Sequence, residues 1–278
     1  MDFQTVWIVM KWPLATALLL PPLLVYLGLH VVKREVIFVD LALAQVAALG
    51  TCIALLSGYH FDDRPTFWIS LVVTFLGAAF FSWTRSVHKH DEVPQEAIIG
   101  ITFVVAAAAV FLLLSRVAGG KEELEHLLTG DILNVTAGDV GQRVALFAVL
   151  GGFYAAFHRN FVALSTDAEQ ARATGLRVMW WDFLFYAGFA VLVVSFVRVA
   201  GVLLTFSYLI VPAVCGATLA STWRARLIVG WVVAALASLL GLLGSYWLDL
   251  PTGAAIVVAC GLLLIIANVI GALRGRPA

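Results

Sequence analysis

The sequence predicts an all-α polytopic membrane protein of about nine (eight to nine) transmembrane helices, with residues 1–278 forming a single transmembrane domain. Three observations predict it. Of the 278 residues, 62% are hydrophobic and 12% charged, against roughly 45–50% and about 25% in a soluble domain. The apolar residues come in runs approaching the roughly 20 that a helix needs to cross about 30 Å of hydrocarbon. The 17 basic and 17 acidic residues avoid those runs, and only Asp40 lies more than one residue inside one. The same composition excludes other classes. A net charge of zero supplies no basic field for nucleic acid. Cys52, Cys215 and Cys260 sit in apolar stretches without C-x-x-C spacing, so they read as small buried hydrophobes, not as a disulfide framework or zinc knuckle.

The candidate spans are, in order, about 14–32, 36–56, 67–83, 97–115, 144–157, 183–197, 199–220, 227–246 and 254–273. The first lacks a small-x-small exit and is read as a span, not as a cleaved signal. The second carries Asp40 about one turn in, read as reaching back to the interface near Lys33 and Arg34. It also carries Gln45 near the midplane, where an amide either joins helices or lines a path. The fifth and sixth are short and need flanking residues to span. Arg198 to Gly201 leaves no room for a loop, so the sixth and seventh form either a tight hairpin or a broken helix. The seventh holds Thr205, Ser207, Tyr208 and Pro212 between Gly201 and Gly216, which makes it partly polar and bent. Asp40, Gln45, Thr205 and Ser207 are the candidate residues of a substrate path.

Two connections are long. Residues 121–128, KEELEHLL, form a short amphipathic pattern suited to a membrane surface. Residues 165–175 read as an exposed helix, with Ser165 or Thr166 as N-cap, acids in its first turn and Gly175 as its end. With nine spans, the loops on one side hold six Lys and Arg and those on the other eleven. The positive-inside rule then puts the C-terminus and 165–175 in the cytoplasm, and the N-terminus and 121–128 outside. No P-loop, H-E-x-x-H or G-x-S-x-G motif occurs, so no catalytic residue is assigned. The cluster from His88 to Glu92 reads as a solvated connection in preference to a metal-sensing loop. His60 to Asp63 reads as a polar helix cap.

The order of several motifs resembles the permease subunits of the ABC-3 family, which import zinc, manganese or iron in bacteria. The motifs are VIFVDLALAQVAALG at 36–50, EAIIGI at 96–101 and LTGDIL at 128–133. STDAEQA at 165–171 is followed by Gly175 and Leu176. VAGVLL at 199–204 leads to LIVPA at 209–213, and DLPTG at 249–253 precedes the last span. The resemblance implies an importer permease fold in a bacterial inner membrane, two cytoplasmic ATPase subunits, an extracytoplasmic substrate-binding protein and a second permease copy, most simply a homodimer. It implies that ATP is used by the partner ATPase while this chain binds no cofactor. It also makes 165–175 similar to the segment that couples to the ATPase, with Asp167, Glu169, Ala171 and Gly175 as its candidate residues.

One departure matters. The family usually carries Asp and His four apart in the second span, and those positions are Leu41 and Gln45 here. Asp40 is no substitute, because five residues of helix turn about 140° to another face. Leucine cannot ligate, and an amide is a poor transition-metal ligand beside imidazole. No metal ligands are therefore assigned, and the expected cargo is a metal ion that does not stop at this face, or its chelate. The alternative function is an ATP-independent secondary transporter or channel, which calls for paired ionisable groups at the midplane and an internal repeat. An integral membrane enzyme calls for clustered acids or histidines at a span end.

Overall fold

The computed structural model of the protein describes residues 3–61, 63–87, 94–116, 122, 127–130 and 132–274. Every regular element among them is helical: α1 (Phe3–Leu19), α2 (Pro21–Arg34), α3 (Val39–Leu56), α4 (Arg64–Val87), α5 (Gln95–Leu114), a 3-10 turn (Ile132–Asn134), α6 (Ala137–Ala156), α7 (His158–Thr166), α8 (Ala168–Ala173), α9 (Val178–Leu219), α10 (Trp223–Leu248) and α11 (Thr252–Leu273). The clusters at 88–92 and 121–128 fall mostly outside the described residues.

Among the described residues, seven helical stretches are long and apolar enough to cross a bilayer, and α6 with α7, bent by 65°, makes an eighth. The longest, α9, has 42 residues and is two helices joined at Gly201, whose φ of 73° and ψ of 166° are not helical. Its parts, 178–200 and 202–219, are each at least 18 residues, or about 27 Å or more at 1.5 Å per residue. Counted apart, and with α6 and α7 taken as one broken span, they make nine among the described residues, the upper figure of the eight to nine expected. The bend expected in the seventh span falls at Gly201; Pro212 lies within continuous helix.

The chain divides into two compact units. The first comprises 1–32, 129–152 and 199–278. Here α2 begins on Pro21 and Pro22, which have no N–H to give to the preceding turn. The carbonyl of Ala17, thereby freed, lies 3.1 Å from the Ser238 hydroxyl, and that of Pro22 accepts from Trp231 Nε1 at 3.0 Å. In hydrocarbon the freed Ala17 carbonyl needs a protein partner, and the polar group beside it is Ser238, whose hydroxyl donates to Ala234 O at 2.7 Å. Ser238 also shares a 2.6 Å hydrogen bond with the buried Tyr208. Helices α10 and α11 pack closely: a Cβ on Gly241 would overlap Ile256. Their turn is held by the left-handed Asp249 and by Ser245, which bonds Leu250 O and Thr252 Oγ1 at 2.7 Å each.

The second unit comprises 33–128 and 153–198. Helix α3 packs on α4 and α5. Gly50 lets α3 approach the Ser70 backbone, where a Cβ would stand 2.7 Å from Ser70 Cα. Ser70 Oγ bonds Ala47 O at 2.8 Å, the usual use of small residues where no hydrophobic effect drives helices together. Near the start of α4, the Arg198 guanidinium lies 4.9 Å from the Phe61 ring and 5.9 Å from Phe67. Near its end, Arg85 meets Asp182 at 2.6 Å. The first half of α9 therefore runs antiparallel to α4.

Candidate transport path and coupling segment

The four candidate path residues are all buried, Asp40 at 3% exposure and Gln45 at 8% in the second unit, Thr205 at 3% and Ser207 at 5% in the first. Asp40 is the second residue of α3, whose N-cap, Phe38, has no side-chain cap of its own. Its backbone N–H donates instead to Glu96 Oε1 of α5 at 3.1 Å. Asp40 Oδ1 has no hydrogen-bond partner. Of the two cations near which Asp40 is expected to reach the interface, Lys33 and Arg34, the Arg34 guanidinium is taken by Asp182 and Ser165. Gln45 lies five residues along α3. Thr205 Oγ1 bonds the Gly201 carbonyl at 2.8 Å, beside the break in α9. Among the described residues no group of three or more His, Cys, Asp or Glu is placed to hold a metal ion.

The candidate coupling segment is a helix with both ends closed. The N-cap is Asp167, one or two residues later than expected, and its Oδ1 accepts from the N–H groups of Glu169 and Gln170 at 2.9 Å. The reason for the shift is that Ser165 is already engaged: its buried hydroxyl donates to Phe161 O at 2.8 Å and accepts from Arg34 Nε at 2.7 Å. At the other end Gly175, at φ +88°, closes the helix as expected. Gly175 N donates to Arg172 O at 3.0 Å and Leu176 N to Ala171 O at 3.1 Å, the paired bonds of a Schellman motif. Asp167, Glu169, Arg172 and Gly175 are exposed, while Ala171 is buried against Leu164 and Val178. Ala171 thus seats α8 on its own chain and is not part of the segment's outer surface.

Sequence reasoning missed a buried charged cluster beside this segment. Arg34 Nη1 and Arg85 Nη1 both donate to Asp182 Oδ1, at 2.9 and 2.6 Å. The side chains of Arg34 and Asp182 are 0% and 1% exposed, and the Arg34 guanidinium stands 4.0 Å from the Phe185 ring centroid. Asp182 lies one residue before the apolar run 183–197 and reads in isolation as an interfacial acid. Its significance needs partners 148 and 97 residues away.

A second contact missing from the sequence reading lies in the first unit. A Cβ on Gly130, at φ +67°, would overlap the peptide joining Ala200 to Gly201, and one on Gly253 would come within 2.8 Å of Thr129 O. Three separate motifs, at 128–133, 199–204 and 249–253, therefore meet backbone to backbone.

Polytopic α-helical membrane protein is the class that this fold defines. The ABC 3 transport family matches residues 7–271, and the chain belongs to it. It is 24% identical over 246 residues to the manganese transport system membrane protein MntC of Listeria monocytogenes, covering 87% of this chain and 83% of that one. It is 24% identical over 269 residues to a probable iron transport system membrane protein of Haemophilus influenzae, covering 96% and 95%. Among solved structures, PsaBC from Streptococcus pneumoniae in complex with Fab superposes with a TM-score of 0.77 at 22% identity, over 93% of this chain and 90% of that one. An inward-facing putative metal-chelate type ABC transporter gives 0.70 at 17% identity, over 95% and 88%. The importer permease fold expected from the motifs is the fold observed.

Proposed function

We propose that the chain is the permease subunit of an ATP-binding-cassette importer that moves a transition metal ion (zinc, manganese or iron) or its chelate across a bacterial inner membrane. The observation that carries this reading is the family match along nearly the whole chain, together with relatives named for manganese and iron transport. The chain itself holds no cofactor, and ATP is hydrolysed by separate cytoplasmic ATPase subunits. These dock on the exposed side of α8, through Asp167, Glu169 and the Gly175 turn. A substrate-binding protein delivers cargo from outside, and a second copy of the permease completes the path within the lipid. Asp40, Gln45, Thr205 and Ser207 are the polar groups available to that path. Leu41 and Gln45 replace a ligand pair, so the ion passes this face without a stop or passes as a chelate. Deletion of the chain from its host, followed by elemental measurement of manganese, iron and zinc, tests the reading. A fall in one metal and co-purification of an ATPase with the tagged chain support it. Unchanged metals with no ATPase bound would overturn it.

A further inference from the structure

The cluster around Asp182 joins three helices at one carboxylate and a fourth through Arg34. Arg34 ends α2, Arg85 lies in the last turn of α4, Asp182 is in the first half of α9, and Ser165 is in the last turn of α7, two residues before the Asp167 cap of α8. Two features make it unlike a simple structural tie. Two guanidinium groups share one carboxylate oxygen, so among the described residues the cluster sets two cationic groups against one carboxylate, with Arg34 and Asp182 almost fully buried and Arg85 18% exposed. Arg34 Nη2 makes no close hydrogen bond among the described residues, and the buried Tyr186 hydroxyl adjoins the guanidinium. Burying an uncompensated charge is costly, and apolar residues of similar volume usually hold helices together as well or better. An oxygen claimed by two arginines has discrete alternatives: it can be held mainly by Arg34 or mainly by Arg85. Arg34 is also bonded through Nε to Ser165 at 2.7 Å, so a displacement of α7 and α8 moves the balance between them. Packing around α8 is an apolar cluster of Leu164, Ala171 and Val178, with Ala168, Leu176 and Trp181 against it.

We infer that Arg34, Asp182 and Arg85 are positioning residues that relay movement of α8, imposed by the ATPase, to α2, α4 and α9. The inference rests on the reading of α8 as the ATPase-coupling segment. Coupling of this kind needs an element with two arrangements that both sites bias, and the carboxylate shared by two arginines is the element inferred to supply them.

The test uses the whole importer, permease with its ATPase and binding protein, in cells and in proteoliposomes. It compares wild type with Asp182→Asn, with Ser165→Ala, and with the apolar triple variant Arg34→Met, Arg85→Met, Asp182→Leu. Three quantities are read: ATPase retained on purification, ATP hydrolysed, and manganese, iron or zinc, each supplied alone, moved per ATP. The triple variant preserves volume and removes the charges, so it is expected to fold, keep its ATPase and hydrolyse ATP. Metal moved per ATP should fall at least about fivefold, the lower end of ordinary allosteric coupling. Ser165→Ala removes the hydroxyl between Arg34 and α7 and leaves the buried Arg34 Nε unpaired, which lowers thermal stability, and it should lower the same ratio while ATPase retention is unchanged. A normal ratio in the triple variant, or in Ser165→Ala if the triple variant does not fold, would overturn the relay and leave the cluster a structural tie. Failure of the underlying reading looks different: charge reversal at Glu169 and Arg172 would then leave ATPase retention untouched.

Discussion

Gly130 and Gly201 lie backbone against backbone in the first unit, so that a methyl group on Gly130 would overlap the peptide nitrogen of Gly201. Gly130 also has φ +67°, where an L side chain is strained. Gly130→Ala should therefore destabilise the protein by at least about 2 kcal/mol, from strain and overlap together. Thermal unfolding in detergent measures it. Gly152→Ala, at a helical glycine with open space around it, is the control and should be neutral or stabilising by about 0.4–1 kcal/mol.

Asp167→Ala removes the side chain that holds the N–H groups of Glu169 and Gln170. A lost N-cap costs about 0.5–2 kcal/mol, and a helix of six residues has little else to spare. Amide hydrogen exchange should accelerate across Ala168–Ala173 and leave α3 and α10 unchanged. Asp167→Ser should restore most of the protection.

Ala171→Trp separates seating from docking. Because Ala171 faces Leu164 and Val178, the indole has no room and should displace α8 at a cost of about 1–3 kcal/mol, detected as faster proteolysis between 165 and 177. Glu169→Arg, on the exposed side, should leave proteolysis unchanged and lower the amount of ATPase that co-purifies. If both variants behaved alike, the division of α8 into an inner and an outer face would be wrong.

Single cysteines test the sidedness expected from the charge asymmetry. The three native cysteines are buried and can be replaced. Leu250 is 47% exposed at the α10–α11 turn, whereas its neighbour Thr252 is buried at 4%, so Leu250→Cys is the better reporter. It should react with an impermeant thiol reagent in intact cells, and Gln170→Cys should react only after permeabilisation. Reaction of both in intact cells would reject the topology.

The spans were legible because the bilayer imposes a length and a composition that any 20-residue window displays. The break at Gly201 was legible because no loop fits between Arg198 and the next span, and the end of α8 because a glycine there relieves a left-handed turn. Asp182, Arg34 and Arg85 were not legible. Each sits at a span end, where a charge is ordinary, and only folding makes them one cluster. The inward turn of Ala171 was hidden for a related reason: a small residue on a short helix does not indicate which side is covered until the chain folds back on itself. The N-cap moved from Ser165 or Thr166 to Asp167 because both of those residues end the preceding helix, where Ser165 is also held by Arg34.

The closed ends of α8 bear on how a partner would meet it. A free six-residue segment would sample many conformations, and ordering its backbone on docking would cost about 1–2 kcal/mol per residue. Here Asp167 at one end and the Gly175 turn at the other have already ordered it, with Ala171 as an anchor beneath. A partner docking there, as proposed, would meet the segment preorganised, with the ordering entropy already spent when the chain folds. A docking surface of modest area can then bind firmly and still release as a rigid body.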